Sequence, residues 1–220
     1  MKQALVTGAN RGIGLELCRQ LKGNGYQVWG VCREASPELK QIGIQLIESI
    51  DVTSEPDLRK MALTIDAQSL DLVINNAGIL RMGDLQSFTT EDILAQYQVN
   101  SLAPLLVTRA LLPKLKNPSK VAMITSRMGS IADNTSGSYY GYRASKAALN
   151  AIAKSLSIDL RDRGIAIGVL HPGFVQTDMT QHSGDRTPKD SATNLLQRIE
   201  DLNIENSGTF WHCDGPILPW

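Results

Sequence analysis

Tyr142 and Lys146 stand one helical turn apart in the run Tyr142-Arg-Ala-Ser-Lys146, and residues at that spacing share one face of a helix. Of the tyrosines at 139, 140 and 142, only Tyr142 has a lysine there; Tyr139 has Arg143 and Tyr140 has Ala144. A free phenol titrates near about 10 and is a poor acid or base at neutral pH. A neighbouring ammonium favours the phenolate, and so would a cationic oxidised nicotinamide. The pair therefore predicts a lowered pKa for Tyr142 and a role as general acid toward an aldehyde or ketone, or as base in reverse. Taken alone, Tyr-x-x-x-Lys also describes a plain surface helix pair. Ser126 follows an apolar run, where it could hydrogen-bond a carbonyl oxygen and hold it against Tyr142. Asn100 lies inside a helical pattern although Asn is a mediocre helix former, so it reads either as a tolerated polar residue or as part of a site.

A second group of residues suits a phosphate. The run Thr7-Gly-Ala-Asn-Arg-Gly-Ile-Gly14 places glycines at 8, 12 and 14 between a short apolar run and a helical pattern. Glycines let the backbone approach, and the free N–H groups and dipole of a helix N-terminus hold negative charge, which predicts a pyrophosphate cradle. A purely structural turn is the alternative. Dinucleotide folds usually place an acid at the end of the second strand to bind the ribose 2′-hydroxyl. Here that place holds Arg33, which with Arg11 could pair with a 2′-phosphate and favour NADP(H) over NAD(H). Two solvated arginines are the other reading.

The elements that would position these residues alternate. Strands are expected at 3–7, 27–32, 44–49, 70–75, 120–125 and 164–171, with a last one at 208–212. Helices are expected at 12–23, 55–67, 90–115 and about 140–162, and after Thr187 as N-cap with Pro188 in the first turn. The strands are continuous apolar runs rather than alternating ones, as in a parallel sheet covered on both faces. The expectation is one α/β domain over 1–220, a doubly wound, mostly parallel seven-stranded sheet binding its ligand at the strand carboxyl ends. Zero formal net charge offers no field for nucleic acid or an anionic membrane. No apolar run approaches the ~20 residues of a membrane span, and the start does not read as a signal peptide. Cys18, Cys32 and Cys213, odd in number and far apart, suit reduced thiols in the cytoplasm.

Together these residues resemble the classical short-chain dehydrogenase/reductase family. The motifs are TGANRGIG (7–14), Asp51-Val52, NNAG (75–78), Asn100, Ser126, YRASK (142–146) and HPGFVQTDM (171–179), all in family order. RMGSIADN, GSYYGYRASKAALN and DGPILPW are similar to the branch of sniffer-type carbonyl reductases and C-factor-like proteins. The resemblance implies a Rossmann fold and a catalytic tetrad of Asn100, Ser126, Tyr142 and Lys146. Tyr142 would pass the proton, Ser126 orient the carbonyl, Lys146 grip the nicotinamide ribose, and Asn100 hold a water of a proton relay. It implies NADP(H) binding by Gly8, Asn10, Arg11, Gly12, Ile13 and Gly14 in the loop and by Arg33. Asp51 and Val52 would touch adenine, Asn75, Ala77 and Gly78 the adenosine ribose, and Pro172, Val175 and Thr177 the nicotinamide. A small carbonyl substrate and a homodimer through the alanine-rich helix after Tyr142 are further implications. The C-factor-like likeness keeps a second function open, an NADP(H)-binding regulatory or signalling protein.

The chain departs from the family pattern in three respects, the third being that few apolar residues line the segment after Thr177. Ser126 and Tyr142 are separated by a slightly longer segment than usual, and the stretch after Thr177, DMTQHSGDRTPKD, is short and polar. An open site without a sterol-sized pocket is expected. His212-Cys213-Asp214 is not read as a metal site, because adjacent residues on a strand alternate direction. His171, before Pro172, is read as packing rather than catalysis.

Overall fold

The computed structural model describes residues 1–220. Its strands are β1 (Gln3–Thr7), β2 (Gln27–Val31), β3 (Gln45–Ile47), β4 (Leu70–Asn75), β5 (Leu115–Ile124), β6 (Ile165–His171) and β7 (Phe210–His212). They form one sheet in the order β3-β2-β1-β4-β5-β6-β7, and every pairing is parallel. The order reverses between β1 and β4, so the crevice for a ligand opens at their carboxyl ends. The helices are α1 (Gly12–Gly23), α2 (Pro37–Ile42), α3 (Glu55–Leu63), α4 (Thr90–Tyr97), α5 (Ala103–Leu111), α6 (Tyr140–Asp159) and α7 (Pro188–Asp201). No helix is long and apolar enough to cross a membrane.

Two apolar layers hold the sheet. On one face Leu58, Met61, Val107, Leu111, Leu149 and Ala153 pack from α3, α5 and α6 against Val73, Val121 and Ile167. On the other, Leu17, Leu21, Ala192 and Leu195 pack from α1 and α7 against Val6, Ile74 and Leu170. Cys18 belongs to this second layer, as a small core residue, and all three thiols are unpaired and buried.

α3 stops at Leu63 rather than 67, β3 and β7 are shorter than expected, and three further elements differ more from the sequence reading. β5 begins at Leu115, not 120, because Leu115 pairs with Leu70 and Ser119 with Ile165 despite the polar Lys116–Lys120 stretch. α2 was not expected, although Ser36 caps it by accepting from Leu39 N at 3.2 Å and Pro37 opens it. The expected single helix over 90–115 is instead α4, a π-helical turn at Gln98–Leu102, then α5 and a short 3₁₀ turn. Pro104 has no N–H to give to the carbonyl one α-turn back, which is that of Asn100. The widened turn sits where that donor is missing, and π-turns recur at functional sites.

Candidate active site

The switch point is locked by side chains. Thr7 Oγ1 accepts from Asn76 N at 3.1 Å and Ala77 N at 3.2 Å. Asn76 Nδ2 donates to Thr7 O at 3.1 Å and Gly8 O at 3.2 Å. The turn after β1 and the turn after β4 are thus one unit. Its closeness explains two glycines: Gly8 has φ +65° and a Cβ there would lie 2.9 Å from Ala77 Cα, while a Cβ on Gly14 would overlap the Gly8 carbonyl oxygen. Arg11 precedes α1 without capping it, so the N–H groups of the first turn face no side-chain acceptor. Asn10, Gly12 and Ile13 complete this half-exposed turn.

Arg33 is exposed just beyond β2, and its charge helps lower the Asp51 carboxyl, whose main restraint is the backbone N–H of Thr53. Arg11 does not stand free: it pairs with Asp178, both side chains being largely exposed. Thr7, Val52, Asn75, Ala77, Val99 and Val107 line a small recess beside the π-turn. Asn75 donates to Thr108 Oγ1 at 3.2 Å, and its Oδ1 is buried without a partner. An acceptor buried unpaired beside a recess, next to a glycine cradle and two arginines, fits a nucleotide that brings donors and phosphates.

The proposed chemical residues converge on the carboxyl ends of β4 and β5. Ser126 follows β5, and its Oγ accepts from Met128 N at 3.1 Å. α6 starts at Tyr140, where the sequence placed it, after Ser138 and Tyr139 in the left-handed region with φ 52° and 54°. Tyr139 N donates to Gly83 O at 2.9 Å, which fixes that entry. Tyr142 is 9% exposed and Lys146 5%. Lys146 Nζ lies 5.8 Å from the centre of the Tyr142 ring and donates to Ile124 O at 2.9 Å.

Asn100 is fully buried and fully used. Its Oδ1 accepts from Ile79 N at 2.8 Å, and its Nδ2 donates to Ile79 O at 2.9 Å and Ser145 Oγ at 3.1 Å. Gly78 lies against Asn100 and Lys146: a Cβ there would come within 3.2 Å of Asn100 Oδ1 and 3.8 Å of Lys146 Nζ. On the far side, Pro172 and Thr177 are half-buried and Val175 is buried. Thr177 reaches the glycine turn, since a Cβ on Gly12 would sit 3.2 Å from its Cγ2.

The electrostatics correct one expectation. Burial pushes the Tyr142 phenol up, and the Ser126 side chain only partly opposes this. Burial also pushes the Lys146 amine down, to about 8. Desolvation thus outweighs the lowering expected from the lysine.

Other residues were not foreseen. Asn150 accepts from Thr125 Oγ1 at 2.7 Å and donates to Gly129 O at 3.3 Å, tying α6 to both sides of Ser126. Gln96 accepts from Arg81 N at 2.9 Å, pinning the segment after NNAG beside Asn100. Their sequence signal is a polar residue on the buried stripe of a helix. The mouth is less polar than expected: Phe174 and Met179 are exposed, and Phe88 packs at a tilt against Tyr140 with ring centres 5.8 Å apart. The geometric argument against His212, Cys213 and Asp214 also fails. β7 ends at His212, the chain turns, and their ligand atoms all lie within 4.8 Å of one another. Arg186 already donates to Cys213 Sγ at 3.3 Å and to both Asp214 oxygens at 2.6 Å. A cation is therefore in place beside those ligands. His171 is largely buried, packs edge-on to His212 at 4.9 Å, and is held neutral by burial.

Comparison with known proteins shows the family. The short chain dehydrogenase family matches residues 2–188. The 1-hydroxy-2-glutathionyl-2-methyl-3-butene dehydrogenase of Rhodococcus sp. (strain AD45) is 37% identical over 226 aligned residues, covering all of both chains. The C-signal protein of Myxococcus xanthus is 41% identical over 169 residues, which are 74% of this chain and 100% of that one. The NADPH-bound carbonyl reductase from chicken fatty liver is 31% identical and superposes with a TM-score of 0.92, covering 100% of this chain and 99% of the other. The chain belongs to the short-chain dehydrogenase family of oxidoreductases.

Proposed function

We propose that the chain is an NADPH-dependent carbonyl reductase for aldehydes, ketones or quinones, with residues 1–220 acting as one catalytic domain. The observation that carries this reading is the convergence of Ser126, a buried Tyr142, a buried Lys146 and Asn100 beside the glycine turn. Bound NADPH would supply the hydride. The loop from Gly8 to Gly14 would cradle the pyrophosphate and Arg33 the 2′-phosphate. Asp51, Val52, Asn75, Ala77 and Gly78 would take the adenosine half, and Pro172, Val175 and Thr177 the nicotinamide half. The likeness to an NADPH-bound carbonyl reductase supports the cofactor.

The residues divide the work by their environments. A phenol raised by burial keeps its proton at neutral pH, so Tyr142 arrives as an acid for the carbonyl oxygen. Ser126 orients that oxygen and steadies charge developing on it. Lys146 would hold the ribose and recharge Tyr142, while Asn100, its side chain already engaged, would seat the water that supplies the next proton through its backbone carbonyl. The C-signal likeness favours a second reading, a regulatory NADP(H)-binding protein. A binding protein has no need of a buried acid and amine together, so turnover is the better reading.

The exposed side of α6 presents Ala144, Ala151 and Ile158 at seven-residue intervals, near exposed Leu94 of α4. This small and apolar stripe supports a homodimer, and the buried unpaired thiols support a cytoplasmic setting. The test is oxidation of NADPH and NADH against a panel of quinones, diketones and aldehydes. NADPH-dependent turnover is expected, and NADPH binding with no turnover on any of them would favour the regulatory protein.

A further inference from the structure

The limb that carries Val175 and Thr177 leaves β6 at His171 and returns to α7 at Thr187. One residue near its end, Arg186, grips it twice. Arg186 N donates to Phe174 O at 3.2 Å and Gln176 N donates to Arg186 O at 2.8 Å, so the backbone of Arg186 pairs with Val175 and closes the base of the loop. The side chain then crosses Gly173 so closely that a Cβ there would lie 2.8 Å from Nε. It ends in a two-pronged bond to Asp214 in the turn after β7, both oxygens accepting at 2.6 Å. Asp214 is held from elsewhere too: Asn194 Nδ2 of α7 donates to it at 2.8 Å, and its own N–H donates to His212 Nδ1 at 3.1 Å.

Two features separate this pair from an ordinary surface ion pair. The Arg186 side chain is only 19% exposed, and a forked guanidinium–carboxylate bond fixes direction as well as distance. Arg186 Nε is moreover buried without a partner. An unpaired donor is a cost that an apolar contact at this place would avoid. What the arrangement gives in return is a fixed geometry for the limb.

The geometry points to Arg186 and Asp214 as a positioning pair that sets the Pro172–Thr177 limb in its cofactor-receiving shape before the cofactor arrives. This rests on the reading of Val175 and Thr177 as cofactor contacts. Neither residue of the pair takes part in proton or hydride transfer. Ordering the limb in advance spares NADPH the entropy of ordering it on binding. The pair acts through affinity rather than through the chemical step.

The experiment uses the full chain with Asp214→Asn, Arg186→Met and Arg186→Lys beside wild type. NADPH affinity is read by fluorescence titration, kcat at saturating NADPH, the melting temperature, and amide hydrogen exchange at Gln176 and His182 in the cofactor-free protein. Asp214→Asn and Arg186→Met are expected to weaken NADPH about tenfold, with kcat within about twofold. Faster exchange at the two amides is expected, and Arg186→Lys should recover part of the affinity. If wild type binds NADPH and the folded Asp214→Asn variant binds it as tightly, the pair has no positioning role. Should Asp214→Asn fail to fold, Arg186→Met decides by the same comparison. A fall in kcat and melting temperature with unchanged affinity would also overturn it, as a structural effect. Failure of wild type itself to bind NADPH would overturn the cofactor reading and the pair with it.

Discussion

Lys146 Nζ sits 5.8 Å from the centre of the Tyr142 ring and donates to the carbonyl of Ile124 at 2.9 Å. The two side chains share one helical face and one buried environment. That environment moves them in opposite senses, since it disfavours charge on both: the phenol rises and the amine falls to about 8.

The pH dependence of the two directions follows from these signs. Tyr142 holds its proton through neutral pH, so carbonyl reduction should be level there. It should fall as pH rises through about 8, where Lys146 loses its charge. Alcohol oxidation needs the phenolate, and because burial raises the Tyr142 phenol, it should rise only on the alkaline side of the ordinary phenol range. Profiles of kcat/KM from pH 6 to 10 check this; a reduction rate that climbed between about pH 7 and 9 would contradict it.

Lys146→Met should separate stability from function. The folded pKa of Lys146 lies below its unfolded value, so below about pH 8 the fold carries the penalty of a buried ammonium. That penalty is relieved as pH rises through the folded value toward the unfolded one. The variant is therefore expected to melt no lower than wild type at pH 7 while losing most of its turnover. Calorimetry beside initial rates would show it.

Arg33→Ala should raise KM for NADPH about tenfold and leave that for NADH unchanged, because only the former brings a 2′-phosphate for the guanidinium. Arg11 is already engaged by Asp178, so Arg33 is expected to dominate the preference. Equal use of the two cofactors by wild type would remove the basis for this assignment.

Asn100→Ala deletes three hydrogen bonds of a buried side chain and leaves the backbone of Ile79 unpaired. A loss of roughly 1–3 kcal/mol in unfolding free energy is expected, together with reduced turnover as the segment after NNAG loosens. Urea denaturation measures the first and steady-state rates the second.

The sequence carried the parts that depend on neighbours in the chain. The glycine turn, α1 over 12–23 and the Thr187–Pro188 start of α7 lie where local pattern placed them. Apolar runs placed most strands, but Lys116, Pro118 and Ser119 hid the first half of β5, whose place is set by pairing with β4 and β6. Pro104 announced the π-turn at Asn100 only once its missing donor was matched to that carbonyl. The Asp214–Arg186 bond was invisible because it joins two loops, and the alternation argument did not apply where the strand had ended. The sign of the Tyr142 shift needed burial, which spacing does not report.

The most direct test is single-turnover reduction of a quinone by NADPH bound to wild type and to Tyr142→Phe, with NADPH affinity measured on both. The account predicts unchanged affinity and a rate lowered by roughly 10²- to 10⁴-fold in the variant, the usual span for loss of a general acid. A Tyr142→Phe variant that bound NADPH and reduced the quinone at the wild-type rate would show that the proton comes from elsewhere.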